Sequence, residues 1–286
     1  MKKLKLFLLL SICVFQQVSY AQSANFPELG VCARLDQSPL VKKSGYTFIQ
    51  PTVAEVLQPM IADSSFTSVK IDNSDVAVSV VNVFIPGTIK TTGPDVDEAL
   101  IMNYATTVFK RAQRSNIPLI VFGSGASRHI PDGFDRDVAL KQFVKVCKML
   151  STLAAQYDVV LALESQNKTE CNFLNTLREC IGVAEAVNHP NFKITVDIYH
   201  MMRENEPASI ILDGAKYIYH CDIGEKENRT APGIMGDDFT PFFRAFQQIG
   251  YTGKIALECR FVDLEKELPL AMHTIRKQWQ TALDKL

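Results

Sequence analysis

Several signals that would assign this chain quickly are missing. None of its seven cysteines is spaced C-x-x-C, which removes the zinc and redox sites built on that pair. Charge of one sign is not in excess, with 30 basic against 31 acidic side chains, so there is no electrostatic footprint for nucleic acid. Histidine is scarce, at five, which argues against a histidine-rich multi-metal cluster. No glycine-rich turn follows the first strand-like run, where Cys32-Ala33-Arg34-Leu35-Asp36 stands instead, so a dinucleotide-binding open sheet is disfavoured. No apolar run reaches the roughly 18–20 residues of a membrane helix. Low-complexity segments and interdomain linkers are also missing.

What remains is ordinary globular composition, 47% hydrophobic over 286 residues, enough to bury a large core. The first 21 residues stand apart. Met1-Lys2-Lys3-Leu4-Lys5 is a positive start, Leu6 to Phe15 is apolar, and Ser19-Tyr20-Ala21 is a small-residue cleavage site. That pattern predicts a secretory signal peptide over 1–21 and a single domain over 22–286, exported to the periplasm or beyond, with no stable membrane insertion after cleavage. A lipoprotein reading through Cys13 is the alternative, and Ile12 before it fits poorly. Cleavage removes three lysines and no acid, leaving a net charge of −4. Of the remaining cysteines, Cys32, Cys221 and Cys259 lie in apolar runs and read as free, buried thiols. Cys171 and Cys180 are the one pair to test as a bridge.

Short apolar runs alternate with helical patterns throughout. Strands are predicted at 29–33, 46–50, 76–84, 119–123, 159–164, 193–197, 217–222 and 254–258. Amphipathic helices are predicted at 95–115, 136–157, 171–188 and 240–249, with a closing helix near 263–286. Near-continuous apolar strands suit a parallel sheet covered on both faces. Eight β/α units in about 265 residues predict an α/β fold, the (β/α)8 TIM barrel.

Active sites of that fold sit at the C-terminal strand ends. Strand five ends in Glu164, strand six in Asp197, strand eight in Glu258, and strand seven in His220-Cys221-Asp222. Alternation points His220 and Asp222 the same way. Four carboxylates on one rim repel unless a cation holds them, and a hard divalent ion such as Mn²⁺ or Mg²⁺ is the economical explanation. Gln50, ending strand two, is a further polar candidate for the rim.

Around these residues the chain resembles the xylose isomerase-like TIM barrels, a group of sugar isomerases and epimerases that also includes endonuclease IV. The run Glu164-Ser-Gln-Asn-Lys-Thr-Glu170 is similar to the stretch where ketose 3-epimerases such as D-tagatose 3-epimerase place a metal-binding and then a substrate-contacting glutamate. Asp197-Ile-Tyr-His200 is similar to their metal-binding aspartate and substrate-binding histidine. The run from His220 to Gly233 resembles their His-x-His-x-Gly-Glu motif with its Asn-Arg and Pro-Gly, and Glu258 matches the last metal-binding glutamate. One position departs from the pattern: Asp222 replaces the second histidine. Asp222 could ligate in its place, His220 could serve by a small shift, or the site could be weakened. The first reading is preferred, which makes the metal set Glu164, Asp197, Asp222 and Glu258.

The resemblance implies proton abstraction beside a carbonyl, with Glu164 and Glu258 as the catalytic pair and an enediolate between them. It implies Glu170, His200, His220 and Arg229 as substrate-binding residues, a small sugar or sugar derivative as partner, and a homo-oligomer as one possible state. Export favours a free keto-sugar or glycoside over a sugar phosphate. Three rivals stand beside this reading. They are a keto-glycoside lyase using the same proton abstraction, a metal-dependent phosphodiesterase, and a non-catalytic sugar-binding barrel. The loop Gly123-Ser-Gly-Ala-Ser-Arg128 offers backbone donors and Arg128 for an anion or hydroxyl, or else is an ordinary turn.

Overall fold

The computed structural model describes residues 26–284. Its eight strands are β1 (Glu28–Val31), β2 (Phe48–Ile49), β3 (Val80–Val81), β4 (Leu119–Phe122), β5 (Val160–Glu164), β6 (Phe192–Asp197), β7 (Ile218–Ile223) and β8 (Lys254–Leu257). All neighbours pair in parallel, in the order β2-β1-β8-β7-β6-β5-β4-β3. Isolated bridges Phe48↔Ala77 and Thr52↔Asn82 span the gap between β2 and β3 and complete the ring. The chain is a single-domain TIM barrel, as its alternating pattern predicts. The stretch read as a signal peptide lies outside the described residues, and no helix within them is long and apolar enough to cross a membrane.

The strands form where apolar residues run without a break. Leu119–Phe122 is buried on both faces, the condition of a parallel strand with helices on one side and a barrel lumen on the other. The helices show the complementary period. Glu98–Arg114 buries Ile101, Tyr104, Ala105, Val108, Phe109 and Ala112, one stripe at three- and four-residue spacing. Side-chain caps start several of them: Asp97, Asp135, Thr176, Asp197 and Asp263 each accept a backbone N–H of the following turn.

Two predicted elements differ markedly from what forms, and one candidate disulfide does not form. The expected strand 76–84 shrinks to Val80–Val81, because Val83 turns into the left-handed region (φ 53°) with its side chain facing solvent, which ends the ladder. The expected helix 171–188 begins at Leu177, where Thr176 and Glu179 make a reciprocal capping box. Its leading residues form a loop instead. Cys171 and Cys180 are both free, and the Cys171 thiol donates to the carbonyls of Gly125 and Phe173 at 3.5 and 3.4 Å.

Inside the barrel, Phe48, Val80, Leu119, Val121, Ala162 and Ala256 pack into an apolar plug. Gly30 makes room for it, since a Cβ there would lie 2.4 Å from the Phe48 ring. That ring meets the His220 imidazole edge-on at 6.3 Å, so the plug supports a side chain of the upper rim. Gly30→Ala should therefore cost about 1–3 kcal/mol by overpacking, read as a lower urea midpoint at unchanged m-value.

Candidate functional site

Register brings the strand-end acids together. Asp197 and Asp222 are direct partners across β6 and β7. Glu164 pairs with Thr195, two residues before Asp197, and Ala256 pairs with Asp222, two residues before Glu258. The two-residue alternation of strands turns all of these carboxylates to the same side. Glu164, Asp197 and Asp222 are almost wholly buried, while the Glu258 side chain keeps 25% exposure.

Among the described residues, one cation answers them at close range. Arg229 donates to Asp197 Oδ2 at 2.8 Å and lies 2.9 Å from Glu258 Oε2, its Nε donating to the Glu258 carbonyl. Its guanidinium lies 4.6 Å over the Tyr199 ring. The other Asp197 oxygen accepts the His200 backbone N–H at 3.0 Å, so this acid both ends β6 and caps helix Ile198–Arg203. The Glu164 carboxylate accepts no hydrogen bond among the described residues. Burial, then the charges of Glu258, Asp197 and Asp222, hold its pKa well above the ordinary carboxylate range. Glu258 is pushed up to about 8 by burial, with Arg229 opposing and Asp222 and Asp197 adding to the shift.

His200 is oriented by the loop after β5. The Asn167 backbone N–H donates to His200 Nδ1 at 3.1 Å, which leaves the proton on Nε2. Nε2 then faces Asp197 Oδ2 at 3.5 Å and Glu164 Oε1 at 3.8 Å. Burial lowers the His200 pKa, so the ring is a neutral donor. Glu170 sits exposed at the lip and accepts the Asn167 side-chain amide at 2.9 Å.

On β7 a polar chain crosses the lumen. His220 Nε2 lies 2.8 Å from Gln50 Oε1, and Gln50 Nε2 donates to Asp222 Oδ1 at 3.1 Å. Asp222 Oδ2 is buried with no partner, and so is His220 Nδ1. Beside them stands Cys32, its Sγ 3.8 Å from Asp222 Oδ1. Two groups of metal-ligating atoms result, Glu164–Asp197–His200 and Cys32–Asp222–Glu258, each within 4.8 Å of one another. Four carboxylates face one guanidinium, and both the Asp222 Oδ2 atom and the Glu164 carboxylate lack donors. That oxygen-rich, under-neutralised set fits a divalent cation.

Two residues here escape a reading of the sequence. Cys32 lies in an apolar run like any core thiol, and its proximity to Asp222 appears only when β1 pairs with β8. Glu225 is the second. Its buried carboxylate accepts the Thr230 hydroxyl at 2.8 Å and the backbone N–H groups of Gly233, Met235, Gly236 and Asp237 at 2.5–3.3 Å. One side chain thus shapes the loop that delivers Arg229, whose own backbone is left-handed (φ 54°). A Gly-Glu pair ahead of a Pro-Gly turn was the available signal.

Of the two readings open for the loop after β4, the placement of Arg128 favours the ordinary turn. Arg128 is buried and donates to the carbonyls of Phe122 and Glu164 at 3.1 and 2.7 Å, so its charge ties β4 to β5. The glycines serve neighbouring side chains. A Cβ at Gly123 would meet Glu164 Oε2 at 1.8 Å, and one at Gly125 would meet Gln166 Oε1 at 1.9 Å.

Comparison with known proteins gives one family and a set of relatives. A family model described as xylose isomerase-like TIM barrel matches residues 39–282. A ketose 3-epimerase of Arthrobacter globiformis is 38% identical over 106 residues, 37% of this chain and 36% of that one. An L-ribulose 3-epimerase of Methylomonas sp. is 34% identical over 116 residues, 40% of each chain. The chain therefore spans well under half the length of these curated relatives. Among solved structures, a D-allulose 3-epimerase of Methylomonas sp. in complex with D-allulose superposes with a TM-score of 0.75 at 20% identity. That match covers 88% of this chain and 97% of the other, a likeness of fold.

Two outcomes are expected. Glu225→Ala orphans several loop donors and should cost about 3 kcal/mol in chemical denaturation while loosening Arg229 from Asp197. In metal-free protein, Glu258 binds a proton more tightly folded than unfolded, so its contribution favours folding at low pH. Thermal stability should fall as pH rises from about 5 through about 8, and Glu258→Gln should flatten that dependence.

Proposed function

The chain belongs to the xylose isomerase-like TIM barrel family, and from that premise we propose that it is a divalent-metal-dependent sugar isomerase or epimerase. The observation that carries the reading is the pair Glu164 and Glu258. They enter from β5 and β8, with Asp197 and Asp222 between them on β6 and β7, and both have raised pKa values. An acid poised to hold or release a proton near neutrality is what exchange beside a carbonyl requires.

In this mechanism Glu164, Asp197, Asp222 and Glu258 would hold a divalent cation, Mn²⁺ or Mg²⁺. Bound there, it would polarise the substrate carbonyl and stabilise the enediolate that forms as the proton leaves. One glutamate removes the proton from the carbon between them and the other returns it from the opposite face, which inverts the centre. Glu164 suits the first role because no donor holds its carboxylate. Glu258 suits the second because Arg229 steadies its charge without fully cancelling the effect of burial. His200 Nε2–H and Arg229 orient substrate oxygens, while Glu170 at the lip and His220 beneath complete the contacts. The proposed substrate is a keto-sugar or a keto-glycoside. We also propose export, on the pattern of residues 1–21 alone, and N-terminal sequencing of secreted protein should then begin at Gln22.

The decisive measurement is solvent deuterium entering the carbon next to the carbonyl, on a panel of ketoses and keto-glycosides with Mn²⁺ present. Glu164→Gln and Glu258→Gln should each slow exchange by about 10²–10⁴-fold, with folding intact by circular dichroism. Exchange with inversion supports the epimerase. Release of aglycone identifies β-elimination on the same enediolate. No exchange, together with no divalent-ion effect on melting, overturns the reading.

A further inference from the structure

We propose that Cys32 supplies a sulfur donor to the cation at the Asp222 end of the rim, so that the site takes borderline and soft divalent ions as well as hard ones. The inference rests on the metal-dependent reading above and concerns which residues complete the coordination. Nothing in the resemblance to ketose epimerases assigns a role to a cysteine directly after β1.

Three observations converge on this corner. Asp222 occupies a position at the end of β7 where its Oδ1 is already engaged by the Gln50 amide at 3.1 Å, leaving Oδ2 buried and unpartnered. Such an oxygen is costly to bury unless something binds it. Cys32 Sγ, Asp222 and Glu258 present their donor atoms within 4.8 Å of one another, a separation that one ion can span. Cys32 Sγ lies 3.8 Å from Asp222 Oδ1, which places the thiol beside the carboxylate whose free Oδ2 would take the ion. On the far side, Arg229 already covers the Asp197 Oδ2 and Glu258 Oε2 atoms, so Asp222 Oδ2, beside Cys32, is among the acid oxygens left without a cation. When the sulfur binds, its proton leaves to water and the thiolate adds a soft ligand to three or four carboxylate oxygens. Soft ligands shift preference from Mg²⁺ and Mn²⁺ toward Zn²⁺, Co²⁺ and Cd²⁺.

The test uses cobalt as a spectroscopic probe on the intact protein. Co²⁺ added to the metal-free chain should produce visible ligand-field bands and a near-ultraviolet thiolate-to-cobalt charge-transfer band. Cys32→Ser should remove the charge-transfer band and keep the visible ones. Cys259→Ser, a control at the neighbouring half-buried thiol, should keep both. Competition titrations should show Cd²⁺ affinity falling about 10–100-fold in Cys32→Ser, with Mn²⁺ affinity changed less than about threefold. Cobalt bound without the charge-transfer band, or a band that survives Cys32→Ser, overturns the sulfur ligand. The Cys32–Asp222 contact would then be a thiol hydrogen bond only, and the carboxylate site would stand. No cobalt spectrum at all, and no melting shift with any divalent ion, fails the metal-dependent reading itself and this inference with it.

Discussion

Mutual repulsion among buried carboxylates is the constraint that orders this molecule. Glu164, Asp197, Asp222 and Glu258 are delivered to one rim by four adjacent strands, and register leaves them no freedom to separate. Charges so placed repel one another and weaken the fold unless they are answered. Much of the surrounding chemistry is an answer to that repulsion. Asp197 gives one oxygen to a helix N-terminus, Asp222 gives one to Gln50, and Arg229 bridges Asp197 to Glu258. What is left after those contacts is a residual negative field open to a divalent ion.

The answering cation has its own support. Arg229 reaches the site from a loop with few regular hydrogen bonds, and that loop would have little shape without Glu225 at its centre. A buried acid inside the loop thus decides where the guanidinium sits. The pair forms a hierarchy: one carboxylate folds the loop, the loop places the arginine, and the arginine bridges Asp197 and Glu258. Chemistry at the rim depends on a hydrogen-bond cluster that no inspection of the rim alone would include.

The fold and the rim acids were legible in the sequence because each rests on a local rule. Apolar runs alternating with helical stripes gave the eight strands, and the last polar residue of a run marked Glu164, Asp197, Asp222 and Glu258. What was illegible depended on contacts distant in sequence or on backbone shape. Cys32 gains its meaning only by facing β7, 190 residues away, and Gln50, placed on the rim by the sequence, finds Asp222 172 residues away. Arg128 looked like a ligand-binding loop residue, yet its guanidinium satisfies two carbonyls. Val83 reads as strand by composition, and its left-handed backbone ends the ladder instead.

The Gln50 contact has a mechanical side. The barrel's thinnest junction runs between β2 and β3, two-residue strands stitched by isolated bridges. Gln50 follows β2 at this junction and grips His220 and Asp222 on the opposite wall, as a spoke braces a wheel at the weak point of its hoop. Whatever binds Asp222 therefore pulls on the same brace. Loosening of the junction and loosening of the ligand become a single motion, and a tightly held ion would make the whole ring stiffer where it is otherwise weakest.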